Sequence, residues 1–188
     1  MVGTQQLSEL FFATSNENKF QEAERILANL GVKINLFKTT LEEIQSNDLN
    51  DIAKKKAINA FKFVQKPVII EDDGLFIDSL NGFPGPYSSY VYDTIGNKGI
   101  MNLLENFEFR NAQFVSIIAY LDDNDSVKLF ESSIPGKISS AIKKGSWGYD
   151  PIFIPEKQNK TYAELDDKNK LSHRYEALKK FANWFNNK

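Results

Sequence analysis

Cysteine is absent from the 188 residues, and histidine occurs once, at position 173. The first absence excludes disulfides, thiolate nucleophiles and Cys-ligated zinc. The second leaves any metal to be held mainly by oxygen, which suits Mg²⁺ or Mn²⁺. No apolar run approaches the ~20 residues of a membrane-spanning helix. The polar start, Met1 to Glu9, has no apolar signal region, so an intracellular, cytoplasmic protein without a membrane partner is expected. Charge of one sign is lacking too. Twenty-three Lys+Arg against 25 Asp+Glu give a net of −2, so no overall positive field gathers DNA or RNA, and only local basic pockets are left.

Repeats, low-complexity tracts and Pro/Gly/Ser-rich linkers are also missing. What is present is core material: 41% hydrophobic residues, including 15 Phe, 7 Tyr and 2 Trp. A chain of this length can bury about 70% of its extended surface. Disordered and fibrous classes are thereby excluded, and residues 1–188 are expected to form one domain, with two lobes sharing one sheet.

Local patterns give the element order. Leu10 to Thr14 is a short apolar run that predicts a buried strand. Ser15 or Asn16 then caps a helix with apolar positions Phe20, Ala23, Ile26, Leu27 and Leu30, ended by Gly31. Ile34 to Lys38 alternates as a half-buried strand does. Leu49 to Gln65 predicts a second helix, stopped by Pro67. Val68-Ile69-Ile70 reads as a strand that ends in Glu71-Asp72-Asp73, with Gly74 turning the chain. Asn81 to Tyr90 is turn-rich and Gly99 to Phe107 helical. Phe114 to Leu121 and Val127 to Ile134 form a hairpin around residues 122–125, Lys143 to Pro155 a loop, and Ser172 to Phe185 a last helix. The expected class is a mixed α/β fold, with a central sheet and flanking helices.

Three cations lie on apolar helix faces. At 100° per residue, Lys19 falls about 40° from Ala23, Lys56 about 60° from Ala53, and Arg174 about 40° from Leu178, whereas His173 points off its stripe. Taken singly, each is read as a snorkelling side chain on the rim of the core. Together, with two of them at helix N-termini, they point to an anionic ligand equally well. The acids after Ile70 are read as a solvated turn or a helix cap, or as a metal-binding cluster at a strand end, where α/β sheets place ligands. Adjacent carboxylates about 5 Å apart repel by roughly 3 kcal/mol at a dielectric of 20, so they favour a shared cation. Acids and inward cations together fit a metal–phosphate site. The loop Ser146-Trp147-Gly148-Tyr149-Asp150-Pro151 sets two aromatics around a glycine, as core or as a stacking platform for a flat ligand.

These segments, in this order and spacing, resemble the inosine/xanthosine triphosphate pyrophosphatases over Phe12 to Phe185. The resemblance rests on Ala13 to Lys19, Glu71 to Leu75, Gly82 to Ser88, Trp147 to Pro151 and Ser172-His173-Arg174. The stretch Tyr92 to Ile100 is most similar to archaeal members. The resemblance implies an elongated, two-lobed homodimer with a cleft between the lobes. It also implies Mg²⁺-dependent hydrolysis of ITP, dITP or XTP to the monophosphate and pyrophosphate. By position, Thr14, Ser15, Asn16, Lys19, Lys56 and Lys168 would hold phosphates, and Glu43 and Asp72 the metal. Asp72 would be the general base, with Lys19 and Lys56 stabilising charge. Trp147, Gly148, Tyr149 and Asp150 would form the base and ribose pocket, and Ser172, His173 and Arg174 would read the purine. Arg174 and backbone N–H groups, being donors only, would accept a 6-oxo group and reject a 6-amino group. Asp73 stands at a substrate-binding position where members commonly carry serine, exchanging a donor for a negative charge. Two other readings are carried forward: a related Maf-like pyrophosphatase of pyrimidine or modified nucleotides, and a nucleotide-binding module without catalysis.

Overall fold

A computed structural model describes residues 9–123, 126–166 and 168–188. The early order follows the sequence pattern: β1 (Phe11–Thr14), α1 (Glu17–Asn29), β2 (Asn35–Lys38) and α2 (Leu49–Val64). Asn16 rather than Ser15 caps α1, its side chain accepting from the Lys19 amide. Asp48 caps α2 in the same way through the Asn50 amide.

The next strand departs from expectation. β3 does not end at the acids but runs from Val68 to Ile77, with Glu71, Asp72 and Asp73 in its middle and Gly74 within the strand. A two-residue β4 (Pro84–Gly85) and two short helices follow, α3 (Ser88–Thr94) and α4 (Gly96–Leu103). The sequence reading started α4 three residues late and did not foresee α3. The hairpin is longer than its apolar runs suggest, as β5 (Asn111–Leu121) and β6 (Lys128–Ile138) pair from Asn111↔Lys137 to Tyr120↔Lys128. Pro135 and Gly136, beyond the expected end at Ile134, lie inside β6. Within the connection, Asn124 and Asp125 fall outside the described residues. The loop before Pro155 ends in a short strand, β7 (Phe153–Pro155), and α5 (Lys168–Leu171) leads to α6 (His173–Phe185), capped by Ser172.

One sheet carries all of this, in the order β2-β1-β3-β5-β6-β7, with β4 also on β3. β2, β1 and β3 are parallel and the remaining pairs antiparallel. β5 covers one edge of β3 along its whole length, Val68↔Leu121 to Ile77↔Ala112. The other edge is interrupted. β1 pairs only with Val68 and Ile69, and β4 only with Leu75 and Phe76, so among the described residues 70–74 have no strand beside them. That gap is the floor of a cleft.

Separate apolar clusters flank it. Ile69 packs with α1 and α6 (Ala23, Leu27, Leu178, Phe181), Val68 and Ile70 with α2 (Ala53, Ala57, Ala60), and Leu75 and Ile77 with Phe114, Phe153 and Tyr162 in a third cluster. Three polar residues are tolerated in mid-strand because they lie between these cores, opposite the missing neighbour.

Gly74 joins the two ends. A Cβ there would lie 2.6 Å from Gly85 O and 3.0 Å from Gly85 C, both backbone atoms that cannot turn aside. Gly74→Ala is expected to lose about 1–3 kcal/mol of stability by overpacking. Urea melts check this, and a variant within about 0.5 kcal/mol of wild type contradicts the close β3–β4 approach.

Candidate active site

The cleft wall starts where β1 stops. Thr14 Oγ1 accepts from the Asn16 amide at 3.0 Å, and Asn16 Oδ1 accepts from the Lys19 amide at 3.1 Å. These two bonds fix the first turn of α1 so that its N-terminus, with its partial positive charge, opens on the cleft.

Strand alternation then sorts the acids. Asp72 shares a face with Val68 and Ile70 and meets α2: its Oδ1 accepts from Lys56 Nζ at 2.5 Å, and the same nitrogen reaches Glu43 Oε1 at 2.7 Å. Glu43, not the adjacent Glu42, is the acid that lines the cleft. Glu71 and Asp73 point to the opposite face, where α1 and α6 supply cations. Asp73 Oδ1 accepts from Lys19 Nζ at 2.7 Å, and its Oδ2 from Arg174 Nη2 at 2.7 Å. Glu71 takes Arg174 Nε on both oxygens at 2.8 Å and Ser116 Oγ at 3.1 Å. The pleat thus divides the three acids, with Glu71 and Asp73 sharing Arg174 on one face and Asp72 meeting Lys56 on the other.

Arg174 is 1% exposed and also donates from Nη1 to Glu22 Oε2 at 2.5 Å. Glu22 lies three residues after Lys19 on the same face of α1 and was missed, because nothing in the local pattern marks its distant partners. It also accepts from Trp147 Nε1 at 3.0 Å and Lys168 Nζ at 3.1 Å. Lys168 in turn bonds Asp150 at 2.5 Å. The Trp147 ring is flanked by Lys168 and Arg174, each 5.3 Å from its centroid. Gly148, at φ +63°, turns this loop in a conformation that other residues rarely adopt, and its carbonyl accepts from Asn97 at 3.0 Å. Tyr149 is buried, its hydroxyl donating to Ser88 O at 2.8 Å.

His173 is buried rather than turned away, a correction to the helical-wheel reading. The first turn of α6 is covered by the Phe114–Tyr162 cluster, and the imidazole stacks on Phe114 at 4.4 Å and 6°. Its Nε2 is 3.7 Å from Asp73 Oδ2, too far for a hydrogen bond, and both ring nitrogens lack partners.

Thr14, Ser15, Asn16, Lys19, Glu43, Lys56, Asp72, Asp73, Trp147, Gly148, Tyr149, Asp150, Lys168, His173 and Arg174 all line one cleft of about 480 Å³. That volume suits a nucleotide-sized ligand. Ser172 alone of the expected residues does not line it. Its side chain is 1% exposed and caps α6 by accepting from the Tyr175 amide at 3.1 Å. Arg174 lines the cleft with Nε, Nη1 and Nη2 each donating to a carboxylate, which leaves one further N–H on Nη1 and one on Nη2.

A model of the Ham1 family matches residues 10–184. The chain belongs to the Ham1 family. It is 45% identical over 182 residues to a dITP/XTP pyrophosphatase of Methanopyrus kandleri, covering 95% of this chain and 97% of the relative. A dITP/XTP pyrophosphatase of Pyrococcus horikoshii is 46% identical over 180 residues, covering 94% and 96%. Among solved structures, a HAM1 protein from Coxiella burnetii superposes with a TM-score of 0.83 at 27% identity, covering 97% of this chain and 100% of that one.

In this Ham1 chain the cleft's charge is unbalanced. Four cations (Lys19, Lys56, Lys168, Arg174) are met by six carboxylates (Glu22, Glu43, Glu71, Asp72, Asp73, Asp150). One carboxylate oxygen of the cleft is left over. Asp72 Oδ2 is buried and has no hydrogen-bond partner. Burial raises the Asp72 carboxyl above its ordinary value, although Lys56 and Lys19 oppose the shift. An all-oxygen donor set of Asp72 and Glu43 fits a hard divalent ion.

Burial, reinforced by the nearby Arg174 charge, lowers the pKa of His173 below its ordinary 6.5, against the pull of Asp73 and Glu71. The unfolded chain then binds this proton more readily than the folded one, so folding stability falls as pH drops below about 6.5. Because His173 is the sole histidine, its NMR titration is unambiguous. The expected midpoint lies below 6.5, and a midpoint above about 6.5 refutes the buried, unpartnered imidazole.

Proposed function

We propose that this chain hydrolyses deaminated purine nucleoside triphosphates (ITP, dITP and XTP) to the monophosphate and pyrophosphate, cleansing the nucleotide pool. The observation that carries the reading is the convergence, in one cleft, of the α1 N-terminus, Lys19 and Lys56 with a buried carboxylate whose second oxygen is unpartnered. The names of the relatives support the substrate class.

The cofactor on this reading is Mg²⁺, or Mn²⁺, held by Asp72 and Glu43, and it would supply charge neutralisation and polarisation of the phosphate. Asp72 would orient or deprotonate the water that attacks the α-phosphorus in line. Lys19, Lys56 and the α1 N–H groups would stabilise the pyrophosphate leaving group as its charge develops. Thr14, Ser15 and Asn16 place those N–H groups, and Lys168 adds charge from the far side of Trp147.

The purine would enter beside Trp147 and Tyr149. The donor to the 6-oxo group would be a remaining N–H of Arg174 or the unpartnered ring N–H of His173 beside it. An adenine 6-amino group would meet that donor with another donor, leaving both unpaired at a cost of several kcal/mol. A cytoplasmic homodimer completes the proposal.

A pyrophosphate-release assay with ITP, dITP, XTP, GTP and ATP, with and without Mg²⁺, tests the activity. The expected outcome is rapid, metal-dependent turnover of the deaminated nucleotides and little of ATP. ATP hydrolysed as fast as ITP would sink the pocket assignment, and a preference for pyrimidine nucleotides would favour the Maf-like reading. Asp72→Asn is expected to lower kcat by about 10²-fold or more with a modest change in KM. Turnover near wild type removes Asp72 from the chemistry.

A further inference from the structure

Lys19 and Arg174 both line the cleft, and one carboxylate spans them. Asp73 gives Oδ1 to Lys19 and Oδ2 to Arg174, both at 2.7 Å, with its side chain 20% exposed at the cleft floor. The two neighbouring acids differ. Glu71 is enclosed and satisfied by Arg174 and Ser116, so it anchors the guanidinium whether or not ligand is present. Asp72 faces the other side of β3 and answers to Lys56. Removing Asp73 would leave Arg174 two carboxylates, Glu71 and Glu22, but Lys19 no ion-pair partner among the described contacts. Asp73 is thus dispensable for burying Arg174, yet it neutralises the cation best placed to meet an incoming anion.

We propose that Asp73 is a built-in counter-ion that occupies Lys19 in the free protein and has to cede it to the phosphates of the substrate, setting the affinity of the site. The proposal rests on the nucleotide-phosphate reading of Lys19 above. Sharing a divalent ion with Asp72 is the less favoured alternative, because strand alternation directs the two carboxylates to opposite faces and both Asp73 oxygens are already engaged. In energetic terms, ligand binding exchanges one ion pair for another instead of filling a bare cationic site. Affinity falls by the strength of the pair that is broken.

The test uses Asp73→Ser and Asp73→Asn beside the wild type, each checked by thermal melt. At fixed ionic strength, calorimetry with inorganic tripolyphosphate is expected to show binding about tenfold tighter in both variants. The KM for XTP or dITP should fall in parallel, so that kcat/KM rises through KM rather than through kcat. A purely structural role for Asp73 would lower melting temperature without tightening either ligand, and unchanged or weaker binding overturns the proposal. Should both variants fail to fold, a crystal of wild type with tripolyphosphate decides. Lys19 Nζ should have left Asp73 for the anion, and an intact pair beside bound anion refutes the idea. Wild type that binds tripolyphosphate but hydrolyses no purine triphosphate would defeat the proposed activity while leaving this role of Asp73 standing.

Discussion

Burying a guanidinium with 1% exposure is prohibitive unless its charge is answered in place, and Arg174 is answered by Glu71 and Asp73 of β3 and by Glu22 of α1. The first turn of α6 is thereby fixed to the middle of the sheet and to the first turns of α1. Trp147 is held in turn, because its ring lies against the guanidinium and its N–H donates to Glu22. Fully satisfied, such a network is rigid. Without Glu71, its enclosed member, the guanidinium would be left under-compensated, and breaking a buried pair typically costs about 3–5 kcal/mol. The shape of the cleft therefore depends on this ion network more than on apolar packing, which lies in separate clusters on either side of it.

A second constraint comes from the broken edge of β3. A strand buried on both faces normally tolerates few charges, yet here three consecutive acids interrupt it where β1 has ended and β4 has not begun. The period of two then separates their tasks without any loop. Asp72 is given to α2 and keeps an unpartnered oxygen, while Glu71 and Asp73 are given to α1 and α6. β5 runs unbroken along the opposite edge, so the gap opens without weakening the sheet.

Much of this was legible in the sequence and some of it was not, for definable reasons. α1 and α2 were readable because caps and apolar spacing agree there, and Lys19, Lys56 and Arg174 stood out because charge on an apolar face is anomalous. β3 was cut short because acids followed by glycine look like a turn. Only the tertiary fact that Gly74 lies against the Gly85 backbone shows why glycine belongs in the strand. His173 was placed outside because a helical wheel assumes one buried face, whereas the start of α6 is enclosed on two. Glu22 was overlooked for the opposite reason: a glutamate on a helix is unremarkable until its partners on α5, α6 and the Trp147 loop are known. Long-range ion pairs leave no local signature.

The excess of carboxylates bears on the order in which charge is assembled. A site meant to trap any polyanion would present bare cations, and it would then hold the product pyrophosphate as firmly as the substrate. Here every described cation of the cleft is already paired, so an anion arriving without its own positive charge has to break an ion pair and faces a surplus of acids. On the proposed reading, a triphosphate accompanied by a divalent ion brings the charge that the acids lack. Interactions of this kind are strong where water is excluded, so on that reading the pairing would restrict which anions stay and would let the products go. The same acids that hold Arg174, Lys19 and Lys56 in position thus serve folding and discrimination through one set of contacts.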